Sequence, residues 1–292
     1  MSKVFVLGAT GQLGASVVEG LLEKNVSVTA YVRDASKAQK LFQQSANLNV
    51  VQGGYDDLDV FKSAVAGHER LFLMVQSFGN MLGIKSAFAK IAYEAGVKQI
   101  VDISCTQEMA PAWRSNPVCE EHRSCEEAII NIPNRGKYVA LRPSFFFSNH
   151  FMGDIHTICN ANVILGCNPS DEKRMWISPT DISSLAVLAL TESIEHHNDC
   201  AYEMTSEALS GDERAQLLSK VLGKDIKYAQ RSAVEEYKAN RSVGMPHETA
   251  YAFVEYYPQG QGHITRGLPI LLGREPESLE AWLEKNKQAF LQ

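Results

Sequence analysis

The stretch Lys3-Val4-Phe5-Val6-Leu7-Gly8-Ala9-Thr10-Gly11-Gln12-Leu13-Gly14 decides the architecture of this chain. Its first part, Lys3–Leu7, is a short apolar run of the kind that forms a strand buried on both faces. A turn with glycine at every third position follows at once. Gln12–Lys24 then places Leu13, Val17, Leu21 and Leu22 on one helical stripe. Strand, glycine turn and helix in this order make a cradle for phosphate. Gly8 permits the tight turn. Gly11 lets a pyrophosphate approach the backbone, and Gly14 lets the helix pack close to the strand. The helix N-terminus adds unpaired N–H groups and a positive dipole end. The alternative is a structural glycine turn without a ligand, and the strand and helix context argues against it.

Outward from this turn, short apolar runs alternate with helical patterns. Strands are expected at Lys3–Leu7, Val26–Val32, Leu48–Gln52, Arg70–Val75, Lys98–Ile103 and Lys137–Arg142. A helix is expected at Ile84–Ala95, stopped by Gly96. This alternation predicts an α/β fold with a doubly wound parallel sheet, a Rossmann domain. The later elements are Ile177–Thr191 (helix), Ala201–Met204 (strand), Ser210–Leu222, Val234–Ser242 and Ser278–Phe290 (helices). We expect a Rossmann domain over residues 1–150, with return elements near 176–206. Residues 151–292 are mainly a smaller C-terminal α/β lobe that binds substrate.

Composition narrows the function. The chain has 292 residues and a formal net charge of −6 without basic runs, which argues against nucleic acid as a partner. No apolar run reaches the ~20 residues of a membrane span, and no signal peptide is evident. A cytoplasmic location is the expectation, with six cysteines as free thiols. Cys119, His122 and Cys125 would share one helical face, but a fourth ligand is missing, so no metal site is expected.

The end of the second strand distinguishes the dinucleotides. An acid there would bond the ribose hydroxyls of NAD. This chain reads Tyr31-Val32-Arg33-Asp34. Arg33 suits a 2′-phosphate, Lys37 adds charge, and NADP(H) is the expected cofactor. The competing reading makes Arg33 a solvated loop residue and Asp34 a helix cap.

With these residues in view, the sequence resembles the NmrA-like branch of the atypical short-chain dehydrogenase/reductases. The resemblance rests on the Gly-Ala-Thr-Gly-x-x-Gly turn at 8–14, Val32-Arg33-Asp34, and Gln52-Gly53-Gly54-Tyr55-Asp56-Asp57. It continues through Leu71-Phe72-Leu73, His122-x-x-x-Glu126, Leu141-Arg142-Pro143-Ser144-Phe145-Phe146, Thr180-Asp181-Ile182 and Gly273-Arg274-Glu275-Pro276. It implies a Rossmann domain with a small C-terminal lobe and a nicotinamide facing the cleft between them. It also implies activities among quinone and enone reductases and reductases of secondary metabolism, beside members that bind dinucleotide without known turnover. Family members often carry an Asp where Gly54 stands, contacting adenine.

The familiar short-chain dehydrogenases use Tyr-x-x-x-Lys, whereas the matching place here reads His122-Arg123-Ser124-Cys125-Glu126. His122 is the first candidate proton donor, with Glu126 one turn later to orient it or pair with it. Ser104, past the fifth strand, is the second candidate, bonding a substrate carbonyl or the nicotinamide side. Gly8, Thr10, Gly11, Gln12, Leu13, Gly14, Arg33, Lys37, Val75, Ser77, Ser104, Pro143 and Phe145 are the cofactor candidates. Phe78, Glu126, Phe146, Phe147, Trp176 and Tyr256 are the candidates for the substrate pocket. Core packing is the competing role for the three consecutive phenylalanines. The reading is an NADP(H)-dependent oxidoreductase acting on a small, largely apolar carbonyl, quinone, enone or imine. The alternative is a non-catalytic NADP(H)-sensing protein that binds a regulatory protein partner.

Overall fold

The computed structural model describes residues 3–42, 45–77, 79–109, 116–255 and 262–291. In chain order its first elements are β1 (Lys3–Leu7), α1 (Gln12–Glu23), β2 (Ser27–Val32), α2 (Ala35–Leu41), β3 (Leu48–Gln52) and α3 (Leu58–Val65). Then come β4 (Arg70–Leu73), α4 (Met81–Glu94), β5 (Gln99–Ile103), α5 (Pro117–Ile130), β6 (Lys137–Pro143) and β7 (Phe145–Phe146). The remainder holds α6 (Asn149–Gly153), α7 (Ile155–Ala161), β8 (Val163–Gly166), β9 (Arg174–Ile177), α8 (Pro179–Thr191) and β10 (Cys200–Met204). The last elements are β11 (Glu207–Leu209), α9 (Gly211–Leu222), β12 (Lys227–Gln230), α10 (Ala233–Ser242), α11 (His247–Val254), α12 (Leu268–Leu272) and α13 (Leu279–Asn286).

Two compact units emerge. The first comprises Met1–Cys105, Glu121–Arg142 and Thr180–Tyr202. Its seven-stranded sheet has the order β10-β6-β5-β4-β1-β2-β3. The pairs β3/β2, β2/β1, β1/β4, β4/β5 and β5/β6 are all parallel. The order reverses between β1 and β4, the switch point at which open α/β sheets bind ligands. Phe5, Leu7, Tyr31, Phe61, Phe88, Ile100 and Tyr138 belong to one buried cluster beneath α3, α4 and α5. Elsewhere in this unit Gly20 of α1 lies against Val187 of α8, where a Cβ would stand 3.0 Å from a Val187 methyl.

The second unit comprises Thr106–Glu120, Pro143–Pro179 and Glu203–Gln292. Its β9 pairs parallel with β7 and antiparallel with β11, and β8 pairs parallel with β12. Phe147, Ile158, Leu218, Trp282 and Phe290 share its core. Two capping boxes start its helices: Ser210 with Glu213, and Ser232 with Glu235. Among the described residues, no helix is long and apolar enough to cross a membrane.

Candidate functional site

The glycine turn has the geometry its composition demands. Gly8 sits at φ +78°, where a Cβ would stand 2.9 Å from the Met74 carbonyl oxygen. A Cβ on Gly14 would stand 2.1 Å from the Gly8 carbonyl oxygen, so only glycine allows α1 to start so close to β1. The Gly11 amide donates to the Gly8 carbonyl over 3.0 Å and closes the turn. Gly11 is the N-cap of α1, no side chain caps that end, and no acid stands in its first turn. The first N–H groups of the helix are therefore available to an anion. Gly11 and Gln12 are exposed, whereas Leu13 and Gly14 are buried and can contribute through backbone alone.

A groove of about 110 Å³ opens from this turn. Leu7, Gly8, Thr10 and Gly11 form its floor, with Tyr31, Val32 and Arg33 from the end of β2. Gly53, Gly54 and Tyr55 follow β3, and Met74 and Gln76 follow β4. Tyr31 donates its hydroxyl to the carbonyls of Gly54 (3.1 Å) and Asp57 (3.3 Å). Its ring fills the space that a side chain at Gly53 would need. The Asp57 carboxylate accepts the Gly54 amide over 2.7 Å. A carboxylate thus reaches the loop at position 54 from three residues downstream.

Arg33 and Asp34 divide the work at the end of β2. The Asp34 carboxylate caps α2, accepting from the Ser36 amide (2.8 Å), the Ser36 hydroxyl (2.7 Å) and the Lys37 amide (3.2 Å). These bonds, with the Ser36 hydroxyl foremost, hold its pKa below the ordinary carboxylate value. Asp34 is therefore engaged with its own helix. Arg33 is exposed, lines the groove and has no partner among the described residues. Lys37 stands in the exposed first turn of α2.

After β4 the sequence expectation is a groove lined by Met74, Val75, Gln76, Ser77 and Phe78, and Val75 departs from it. Met74 and Gln76 line the groove, whereas Val75 is 6% exposed and belongs to the core cluster. Successive side chains of an extended segment face opposite ways, so the groove receives the even positions and Val75 is core. Ser77 is half-buried. Phe78 and Tyr256 lie outside the described residues.

The carboxyl end of β5 carries a buried polar network. Ser104 donates its hydroxyl to Glu126 Oε1 over 2.5 Å. Arg142 Nε donates to the same oxygen (3.0 Å) and Nη2 to Oε2 (2.5 Å). The Ser104 amide donates to the Leu141 carbonyl over 2.7 Å. One residue back, the Ile103 carbonyl accepts from Lys85 Nζ over 2.7 Å. Lys85 also pairs with Asp102 Oδ1 at 2.7 Å, and both side chains are wholly inaccessible to solvent. Tyr138 donates to Asp102 Oδ2 at 2.8 Å. Sequence reasoning missed Lys85, Asp102, Tyr138 and the role of Arg142. The available signal was a charge inside an apolar strand, Ile100-Val101-Asp102-Ile103, which requires a buried partner.

Glu126 therefore serves Ser104 and Arg142 and is 4% exposed. His122, one turn before it on α5, is partly buried, and its Nδ1 is enclosed without a partner among the described residues. Burial first, and the Lys85 charge second, lower its pKa from 6.5 to about 3. Its ring is thus neutral near pH 7 and carries a single N–H proton. Burial pushes the Cys125 thiol up to about 12. Among the described residues no group of three or more His, Cys, Asp or Glu could hold a metal ion.

The remaining candidates lie in the second unit. Pro143 is buried, and its carbonyl accepts the Thr106 amide over 3.0 Å. Phe145 and Phe146 are half-buried. Phe147 is 0% exposed and packs 6.2 Å from Trp282 within the core, so it is a packing residue. Trp176, 4% exposed, is likewise enclosed: His150 stacks on it at 5.1 Å, and the Arg214 guanidinium lies 4.9 Å over its ring. Its bulk and pattern fitted a pocket wall, but β9 turns it inward.

A family model described as NmrA-like matches residues 1–267. The chain belongs to the NmrA-like family. One relative of this NmrA-like chain is an NAD(P)H azoreductase of Xenophilus azovorans, 28% identical over 98% of this chain and 99% of the relative. The crystal structure of an NADPH-dependent quinone oxidoreductase of Escherichia coli in complex with NADPH is also similar. It matches with a TM-score of 0.83 and 26% identity, covering 97% of this chain and 99% of that one. The structure of NmrA, a negative transcriptional regulator, in complex with NADP gives a TM-score of 0.80 at 16% identity, covering 97% and 94% of the two chains. At that identity the likeness is one of fold alone.

Proposed function

We propose that this NmrA-like chain is an NADPH-dependent oxidoreductase whose substrates are small, largely apolar and conjugated, quinones first. One observation carries the cofactor reading. Arg33 lines the groove without a partner among the described residues, while Asp34 is occupied as a cap. An acid free to bond ribose hydroxyls is thus missing from the end of β2, and a guanidinium suited to a 2′-phosphate stands there. The pyrophosphate is held by the uncapped N–H groups at the start of α1, and the adenosine lies along Gly53, Gly54, Tyr55, Met74 and Gln76. When bound, the nicotinamide supplies hydride. The protein binds and orients it and, through the buried network at β5, fixes Ser104. The near end-to-end similarity to an NAD(P)H azoreductase supports a two-electron reduction of a conjugated acceptor.

A pure dinucleotide sensor is the second reading, favoured by His122 and Glu126 standing where a Tyr and a Lys would serve proton transfer. Titration with NADPH and NADH, followed by NADPH consumption across quinones, azo dyes, enones and aldehydes, separates the two. Tight NADPH binding with turnover of quinones is expected. Tight binding with silence across the panel would establish the sensor.

A further inference from the structure

The far edge of the first unit's sheet carries a second set of reactive side chains. β10 lies beyond β6, β5 and β4 from β1, at the edge opposite β3. Cys200 and Tyr202 are two apart on β10, so their side chains share one face of the strand. The thiol and the phenol oxygen are hydrogen-bonded. His197 comes from the 3-10 turn just before the strand, Ile194–His197, and its Nδ1 stands 2.9 Å from the Tyr202 oxygen. On the other side of the ring, Nε2 stands 3.1 Å from Glu192 Oε2. Arg70 Nη2 donates to the Glu192 carbonyl over 2.6 Å and pins that backbone. His197 is 5% exposed, whereas Cys200 and Tyr202 are half-buried.

These contacts fix the order of the protons. A carboxylate only accepts, so His197 Nε2 carries a hydrogen. In the neutral ring Nδ1 is then a bare acceptor and takes the Tyr202 hydroxyl proton. The Tyr202 oxygen keeps its lone pairs for the Cys200 thiol. The other acceptor of the thiol, the Asn198 carbonyl at 3.4 Å, has no base behind it, and Tyr202 has one. Passing one proton from sulfur to the phenol oxygen, and one from there to Nδ1, turns S–H···O–H···N into S⁻···H–O···H–N⁺ on the same heavy-atom positions. Burial first, and the Cys200 bond second, raise the Tyr202 pKa, so the phenol keeps a proton in both states. The imidazolium lies against the Glu192 carboxylate, which favours it.

We propose that Cys200 is the nucleophilic thiol of this chain, a site of covalent addition to conjugated carbonyl electrophiles such as quinones and enones, with His197 as its base through Tyr202 and Glu192 as the positioning residue. The thiolate pair forms a C–S bond to the β-carbon of the electrophile, and the C=C π pair moves onto the carbonyl oxygen. That oxygen takes a proton from water, and His197 returns its proton to water. The sum is a thiol added across a double bond, and no oxidant or reductant is consumed. The other thiols differ. Cys105, Cys119 and Cys125 are buried, Cys159 donates to the Phe290 carbonyl, and burial, then Glu236, pushes the Cys167 thiol up. Nothing at Cys200 depends on NADPH binding in the groove.

The experiment adds substoichiometric N-ethylmaleimide or a naphthoquinone to the full chain and times the adduct at each cysteine by peptide mass spectrometry. Cys200 is expected to react at least about tenfold faster than Cys159 and Cys167. Tyr202→Phe keeps the ring but breaks the proton path. His197→Gln keeps an acceptor for the Tyr202 hydroxyl but offers no base. Each slows Cys200 about tenfold and leaves Cys159 and Cys167 unchanged. A loosened fold reads differently, because it raises the reactivity of the buried Cys105, Cys119 and Cys125 together. The variant that keeps these three closed decides. Cys200 reacting no faster than Cys159 and Cys167 overturns the proposal. So does a Cys200 rate that His197→Gln leaves unchanged, which reduces the array to packing.

Discussion

Glu126 reaches across from α5 to take the hydroxyl proton of Ser104 over 2.5 Å, while His122, one turn before it on the same helix, stays outside that network. The pair of residues that sequence spacing joins is thus separated by the fold, and each member has its own environment. Arg142 completes the clamp on Glu126, and Lys85 secures the strand end beneath Ser104.

Removing the clamp has a stability consequence. Glu126→Ala leaves Ser104 and Arg142 without their shared acceptor. The pair is largely buried but Arg142 is about a quarter exposed, so the loss falls at the low end for such pairs, about 3 kcal/mol. Denaturant unfolding of wild type and variant checks this. A change below about 1 kcal/mol would mean that the clamp holds little.

The Lys85–Asp102 pair predicts a non-additive result. Lys85→Met alone leaves Asp102 charged or forces it to protonate in a site with no solvent access, a loss of about 3–5 kcal/mol. Lys85→Met combined with Asp102→Asn removes the stranded charge and recovers a large part of that loss. A double-mutant cycle by urea unfolding measures the coupling, and simple additivity would contradict the pairing.

Arg33 predicts cofactor preference. Arg33→Ala removes a charge-assisted contact to the 2′-phosphate and raises the NADPH dissociation constant about tenfold, the lower end expected for an exposed guanidinium. NADH, which lacks that phosphate, stays within about twofold. Equal weakening of both dinucleotides would place Arg33 elsewhere in recognition.

His122 contributes to acid sensitivity with a definite sign. Its pKa falls from 6.5 to about 3 on folding, so between those values the unfolded chain binds more protons than the folded one. Stability from this group is full above pH 6.5 and is lost as pH falls towards 3. Burial lowers His68 and His150 in the same direction, so the wild type alone is not diagnostic. His122→Gln, compared with wild type by unfolding at pH 7 and pH 4, isolates the term. The variant should lose less stability between the two pH values. An equal loss would mean that His122 titrates normally.

The sequence carried the glycine turn and β1 to β6 almost to the residue, because strands buried on both faces are continuous apolar runs between turns. The place of Arg33 beside the groove, just past β2, was legible because it follows from the same motif. The burial of Val75 was not, since Met74 to Phe78 were all expected along the groove and alternation sends Val75 to the core. Nor did helical spacing show that Glu126 turns towards β5 and β6 instead of His122. That choice depends on Ser104 and Arg142, which are distant in sequence. Phe147 and Trp176 fitted a pocket wall by composition, and only the packing against Trp282, His150 and Arg214 places them in a core.

The central claim is that Gly8–Gly14 and Arg33 hold NADPH for a two-electron reduction. Its most direct test is the loss of NADPH absorbance when a naphthoquinone is added to the purified protein, repeated with NADH. We predict consumption proportional to protein concentration, with NADPH preferred. Tight NADPH binding without consumption of quinone, azo dye, enone or aldehyde would contradict the claim.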